Sequence, residues 1–140
     1  MQDLANALNP RQAPQGSPGF YLDGDVEEEV VDINTSDGKF YSYLLHLKKK
    51  IQGVWVYPKG AANSGIGGQL KVEFLIAKNG QLIDCKLLDS SGHHVLDHSA
   101  VSAIQTAAPY NPLPRRLRTK RLRIRANFIY VTQSFFRRIM

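Results

Sequence analysis

Three closely spaced histidines are the first candidates for a chemical role in this sequence, because histidine can bind metal ions. His94 and His98 are four residues apart and would share one face of a helix, as pairs of zinc ligands often do. His93 lies beside them, but a zinc site needs further ligands, which the neighbouring sequence does not offer. We therefore predict surface histidines, with neither a metal site nor another cofactor.

Residue types of a hydrolase triad occur in the same segment, as Ser90, His93 and Asp97. No nucleophile-elbow motif surrounds the serine, and close neighbours in sequence rarely adopt triad geometry. The glycines of GVWVYPKGAANSGIGG, residues 53–68, also miss the spacing of phosphate-binding loops, because Leu70 stands where a dinucleotide loop needs its third glycine. The sequence therefore predicts that the chain is not an enzyme.

A basic run, RRLRTKRLRIR, occupies residues 115–125 and holds seven bases in eleven residues. Such a density is typical of nucleic-acid binding. Arg121, Arg123 and Arg125 alternate with apolar residues, so they would share one face of a strand and attract an acidic partner, anionic headgroups or the acidic leader of the same chain. Polyanion or nucleic-acid binding is the alternative of a different class, but no aromatic stacking platform is interleaved, so no nucleic acid is expected.

Charge and composition divide the 140 residues into regions. Residues 1–39 carry a net charge of −6, and residues 40–140 carry +12. The hydrophobic content of 43% suits one domain with a core, and no apolar run reaches the roughly 18 residues of a membrane span. We predict an acidic, Pro- and Gly-rich linker or leader over 1–33, a domain over 34–132 and a basic tail over 133–140.

Two amphipathic helices are predicted from apolar residues that recur at three- and four-residue steps. The first follows the capping residues NTSD, 34–37, and its apolar stripe consists of Phe40, Leu44, Leu47, Ile51 and Val54. The second lies in LDHSAVSAIQTAAP, residues 96–109, where small alanines allow close packing on a sheet. Between them, Trp55 is expected in the core and Tyr57 partly exposed, with Val54 and Val56 pointing to the other side.

A hairpin is predicted over GQLKVEFLIAKNGQLIDCKLLD, residues 68–89, because polar and apolar residues alternate on both sides of Asn79 and Gly80. The single cysteine, Cys85, is expected to face the core as a small apolar filler. A third strand is predicted over RLRIRANFIYV, residues 121–131. The third strand would return beside the first and lie at the edge of the sheet.

The predicted fold is α+β, with element order αββαβ and a three-stranded antiparallel sheet that carries both helices on one face. An edge strand presents unpaired N–H and C=O groups. An extended partner could pair with those groups as an added strand.

Taken together, these motifs resemble the C-terminal domain of the TonB family of bacterial energy transducers, and its relative, the TolA C-terminal domain. The resemblance covers about residues 34–131 and rests on four segments in the same order. They are FYSYLLHLKKKIQGVWVYP, GGQLKVEFLIAKNGQLIDCKLLDSSG, LDHSAVSAIQTAAPYNPLP and LRIRANFIYV. The strongly basic segment 115–125 is not a feature that the family requires.

The resemblance implies a periplasmic domain that is normally anchored to the inner membrane by an upstream helix, which this sequence does not contain. Such domains link inner-membrane motor proteins, driven by proton motive force, to TonB-dependent outer-membrane receptors. They bind an extended receptor segment, the TonB box, by β-strand addition. Alternatives are an envelope adaptor, a self-associating TolA-like domain or a homodimer.

By the same resemblance, the partner-binding residues are the Tyr-Pro pair and the last predicted strand. They are Tyr57, Pro58, Leu122, Arg123, Ile124, Arg125, Ala126, Asn127, Phe128, Ile129 and Tyr130. Structural roles are expected for Trp55, the turn residues Asn79 and Gly80, and Gly92 before the second helix.

Overall fold

The computed structural model describes residues 26–132 and 136–140, which form one sheet with helices packed on one face. The helices are α1 (Gly38–Gln52), α2 (Lys59–Asn63) and α3 (His94–Ala107). The strands are β1 (Glu29–Asp32), β2 (Gly68–Ala77), β3 (Leu82–Asp89), β4 (Arg121–Val131) and β5 (Phe136–Ile139). The predicted α+β class is confirmed, but the sheet has five strands rather than three.

Helix α1 begins where its sequence signals predicted. The side chain of Asp37 accepts a hydrogen bond from the Lys39 N–H at 3.1 Å, which satisfies one of the free donors at the helix start. The buried face consists of Phe40, Tyr43, Leu44, Leu47 and Ile51. Val54 is a correction to the predicted stripe, because the helix ends before it and 38% of the residue is exposed.

The predicted hairpin is confirmed by antiparallel pairing of β2 with β3. Gly80 in its turn has a φ of +95°, a conformation that favours glycine. The backbone of Tyr110 also approaches closely, since its N–H donates to the Gly80 carbonyl at 2.8 Å. A Cβ atom at residue 80 would lie 2.0 Å from the Tyr110 carbonyl oxygen, so only glycine fits this turn without a shift of the backbone.

The main sheet order is β1-β4-β2-β3, and β5 also pairs with β4. Strand β4 is therefore interior, with β2 antiparallel on its inner side, as predicted. The prediction of a free edge at β4 is wrong. Neither β1 nor β5 was part of the predicted sheet, and the two strands extend it beyond residues 34–132 on both sides.

The core lies between the sheet and the helices. Alternate residues of β2 and β4 stand opposite one another and are almost fully buried, as in the pairs Phe74 with Ile124 and Leu70 with Phe128. The predicted apolar face of α3 is confirmed, and it consists of Leu96, Ala100, Ala103, Ile104 and Ala107. Within the described ranges, no helix is long and apolar enough to cross a membrane.

Candidate functional site

Three arginines on β4 form the centre of the candidate site. Arg121, Arg123 and Arg125 alternate with the buried Leu122 and Ile124, so they project from the sheet face opposite the helices. We call these three residues the arginine face. Their spacing was predicted from the sequence, and the strand places them in one row.

Glu73 on β2 is the buried acid of this face. Its carboxylate accepts hydrogen bonds from Arg123 Nη1 at 3.0 Å and from Arg125 Nε at 3.2 Å. Burial alone would raise the pKa of Glu73, but the hydrogen bonds and positive charges of the two arginines outweigh it and hold the pKa below its usual range. Glu73 is therefore ionised at neutral pH and fixes two of the three arginines.

Residues 26–33, which we call the acidic segment, supply the remaining acids. Glu28 accepts hydrogen bonds from Arg123 Nε at 2.7 Å and from Arg123 Nη2 at 3.4 Å. Glu27 pairs with Lys120 at 3.1 Å and with Arg121 at 3.8 Å. The pKa of the Arg123 guanidinium is raised, chiefly by its hydrogen bonds to Glu28 and Glu73. The acidic segment thus lies on the basic run in cis, which reduces the positive charge available to a polyanion.

The backbone of β4 is paired on its outer side by two short strands. Strand β1 runs parallel to β4, from Glu29 opposite Leu122 to Asp32 opposite Arg125. Strand β5 runs antiparallel, and Asn127 and Met140 exchange two hydrogen bonds of 2.7 and 2.8 Å. The groups expected to be open to a partner are therefore bonded to other parts of the same chain.

The predicted partner-binding residues fall on two faces of β4. Arg123, Arg125, Asn127 and Ile129 lie on the face opposite the helices, whereas the other five have at most 3% of their surface exposed; these are Leu122, Ile124, Ala126, Phe128 and Tyr130. The buried five can offer a partner their backbone but not their side chains.

Tyr57 and Pro58 lie on the helix side, away from the arginine face. The Tyr57 ring packs edge-on against Tyr130, with ring centres 5.0 Å apart, and its hydroxyl donates to the Ile66 carbonyl at 2.7 Å. Tyr57 is 9% exposed, so the prediction of partial exposure is wrong. The acceptor, Ile66, lies in the loop that follows α2.

Trp55 supports β4 from the same side. Its indole N–H donates to the Tyr130 hydroxyl at 2.7 Å, and that hydroxyl donates to the Leu96 carbonyl at 2.9 Å. The predicted core position of Trp55 is confirmed by its 1% exposure, and the more exposed Val54 and Val56 lie on the other side, as the alternation of residues 54–57 predicted. These two hydrogen bonds link Trp55 to Tyr130 on β4 and to Leu96 on α3.

Asp97, in the first turn of α3, binds the two serines of the preceding turn, so the predicted triad residues form a structural contact at the start of the helix. The Asp97 carboxylate accepts hydrogen bonds from both serine hydroxyls, at 2.5 Å from Ser90 and 2.7 Å from Ser91, and from the Ser91 N–H at 2.9 Å. Gly92 has a φ of +89° in this turn. No group of three or more potential metal ligands occurs among residues 26–132 and 136–140.

Sequence reasoning missed three site residues, Glu27, Glu28 and Glu73. The charge contrast between the two parts of the chain was the available signal, and it indicated a contact in cis among other possibilities. It could not select the partners, because 50 residues separate Glu73 from Arg123 and 95 separate Glu28 from Arg123.

A family model described as Gram-negative bacterial TonB protein C-terminal matches residues 55–132. Two curated relatives, both Protein TonB from Helicobacter pylori (strains J99 and 26695), are 33% identical over 86 residues. That match covers 57% of this chain but only 31% and 30% of the relatives. The chain therefore spans about a third of the length of the curated relatives it matches.

Solved structures give the same likeness. Two solution NMR structures of the Helicobacter pylori TonB C-terminal domain match with TM-scores of 0.56 and 0.53 and identities of 29% and 28%. They cover 64% and 65% of this chain, and 80% and 95% of their own chains. A structure of TolAIII bound to a peptide derived from the N-terminus of TolB has a TM-score of 0.50, covering 69% of this chain and 75% of its own. At 21% identity, that likeness shows the fold alone.

Proposed function

The chain belongs to the family of the TonB C-terminal domain of Gram-negative bacteria, and from this premise we propose that it binds an extended segment of an outer-membrane receptor by adding it as a strand to β4. Membership of this family agrees with the prediction that the chain is not an enzyme. We further propose that the domain works in the periplasm, behind an inner-membrane anchor, and passes force from proton-driven motor proteins to the receptor.

The observation that carries this proposal is the outer side of β4. Ten residue pairs join β4 to β2, whereas the outer side is held by two strands of four residues each. A partner strand could replace either one without disturbing the central pair β2-β4. The arginine face would then lie beside the added strand and favour a partner with acidic side chains.

The buried side of β4 suits a strand that carries load. Trp55, Phe128 and Tyr130 pack edge-on, with ring centres 4.8 and 5.1 Å apart, beneath the half of β4 that pairs with β5. When force runs along an added strand, its backbone hydrogen bonds resist together, and release can still occur one bond at a time. This packing anchors β4 to the core, so force on an added strand passes through β4 to the core.

The test is an NMR titration of the ¹⁵N-labelled chain with synthetic TonB-box peptides from receptors of the same bacterium. We expect the largest amide shifts in residues 122–131, together with those of the strand that the peptide replaces. Shifts confined to β3 or to the α1 surface would overturn the proposal.

Two variants sharpen this test. Asn127→Pro removes an N–H on the outer side of β4, which now bonds to Met140, and should weaken the binding of a peptide that replaces β5. Lys86→Ala, on the opposite edge of the sheet, should leave it unchanged. Near-UV circular dichroism of Trp55 verifies that each variant is folded.

A further inference from the structure

We propose, building on the proposed function, that the acidic segment is an intramolecular occupant of the partner site, and that the partner replaces it with an acidic extended segment running parallel to β4. The inference names which of the two short strands leaves, and what chemistry the incoming strand carries. It rests on the pairing, the charges and the anchoring of residues 26–33.

The backbone of the acidic segment pairs along the first half of β4 and just before it. The Val26 N–H donates to the Arg118 carbonyl at 2.7 Å, and the Lys120 N–H donates to the Val26 carbonyl at 2.9 Å. At the other end, the Ile33 N–H donates to the Arg125 carbonyl at 2.9 Å. A partner strand cannot pair with this part of β4 until the segment has left.

The side chains of the segment match the arginine face in charge. Glu28 is bound to Arg123, and Glu27 lies between Lys120 and Arg121. Departure of the segment would leave these three bases without those acids, while Glu73 would still neutralise part of the face. An incoming strand with carboxylates at the two equivalent positions would restore the same ion pairs.

Apolar contacts define the rest of the match. Val31, opposite Ile124, is 8% exposed, and Ile33 is 3% exposed, whereas Val30 on the other face is 52% exposed. The incoming strand should therefore carry two adjacent acids, followed after a two-residue gap by β-branched apolar residues at alternate positions. The segment Val26–Ile33 has this pattern itself.

The anchoring of β1 makes it the strand that leaves. It is parallel to β4, a pairing slightly less stable per residue than the antiparallel pairing of β5. The Glu29 side chain contributes an ion pair of 3.4 Å with the exposed Lys39, which adds little to the stability of the docked strand. Strand β5, by contrast, has the reciprocal bonds of Asn127 and Met140 beside the buried Ile139.

The probe that tests this inference is the segment itself, as the free peptide GDVEEEVVDIN that copies residues 24–34. It is titrated against the full chain and against the full-chain variant Glu27→Lys/Glu28→Lys. If the segment competes in cis, releasing it raises the binding-competent fraction of the protein. We expect the peptide to bind the variant at least tenfold more tightly than the unaltered chain.

The matched control is the full-chain variant Asp84→Lys/Asp89→Lys. It changes the net charge by the same amount on β3 and should bind the peptide as the unaltered chain does. A peptide with glutamine in place of the acids at positions 27 and 28 should lose the tenfold gain. Glu28→Gln, which removes one carboxylate that contacts Arg123 and Arg121, is a milder second variant that should show a smaller gain in the same direction.

Equal affinities for the variant and the unaltered chain, absence of peptide binding to either, or amide shifts in residues 138–140 instead of 29–32 would overturn the inference. Because the probe contains no receptor sequence, these outcomes are separate from those of the receptor titration. A receptor peptide that shifts β4 amides with the same affinity in both chains would support the proposed function and reject the acidic segment as its competitor.

Discussion

The outer sides of β4 and β3 are protected from unwanted pairing in different ways. Strand β4 is covered by pieces of its own chain, β1 and β5, over almost its full length. Strand β3 is the end of the main sheet order, and no strand among the described residues pairs with its outer side. The outer side of β4 is protected by other strands of the same chain. The outer side of β3 is protected by irregularities and side chains of β3 itself.

Those local features are visible along β3. The pairing of β2 with β3 shifts register at two places, and such irregularities twist an edge away from flat pairing. The Asp84 carboxylate accepts a hydrogen bond from the Cys85 N–H at 2.9 Å, so that the neighbouring side chain satisfies this backbone group. Protection that is built into the strand in this way suits an edge that does not pair with a partner strand. If β1 is displaced as proposed, an exchangeable strand would suit the side of β4 that receives a partner.

The largest expected difference between the two edges concerns the free energy of unfolding. Ile124 on β4 is 0% exposed, and Leu87 on β3 is 41% exposed. We expect Ile124→Ala to lower the free energy of unfolding by about 2–5 kcal/mol, because it leaves a cavity in the core. Leu87→Ala should lower it by about 1 kcal/mol or less. Urea denaturation monitored by Trp55 fluorescence measures both, and equal losses would contradict the comparison.

A smaller effect is expected from the buried acid that fixes the arginine face. Glu73→Gln leaves Arg123 and Arg125 with a weaker acceptor and should cost about 1–3 kcal/mol at pH 7. Asp84→Asn on the exposed β3 edge is the control and should change the free energy of unfolding by about 0.5 kcal/mol or less.

The stability difference between the unaltered chain and Glu73→Gln should also depend on pH in a predictable direction. The pKa of Glu73 is lower in the folded chain than in the unfolded chain, so its contribution to stability is present above about pH 4.5 and is lost as the pH falls through the folded pKa. The difference between the unaltered chain and Glu73→Gln should therefore shrink in acid. Asp97, whose pKa is also lowered because hydrogen bonds from Ser90 and Ser91 outweigh its burial, keeps its own acid-sensitive contribution in both chains. A difference that stayed constant down to pH 3 would contradict the ionised pairing.

The two edges also differ in how far the sequence predicts them. Strands β2, β3 and β4 have eight or more residues with alternating or turn-flanked patterns, so periodicity was sufficient to find them. Strands β1 and β5 have four residues each, too few to show a period, and they form because the outer side of β4 is available. The sequence therefore predicted an open outer side for β4, which the structure covers with β1 and β5.

The burial of residues 54–57 shows a similar limit of prediction from the sequence. Alternation correctly placed Trp55 and Tyr57 on one side of the chain and Val54 and Val56 on the other. It could not predict how deeply Tyr57 is buried, because that depends on Ile66 and Tyr130, which distant parts of the fold bring to it. The local sequence pattern predicts the side to which a side chain points, whereas the extent of its burial depends on tertiary packing.

The smallest expected effect is on the reactivity of Cys85, and it tests whether β3 stays paired although its outer side is open. Burial, aided by the negative charge of Asp84, raises the pKa of the Cys85 thiol to about 11. The thiolate fraction at pH 8 is then about a hundredfold lower than that of an exposed thiol, and the stronger nucleophilicity of the more basic thiolate restores part of the rate. Iodoacetamide should therefore react with the folded chain at least tenfold more slowly than with the chain in urea. Asp84→Asn should accelerate the folded reaction only modestly, since burial is the larger cause. A folded rate equal to the rate in urea would mean that β3 frays, and that its local features do not protect this edge as the covering strands protect β4.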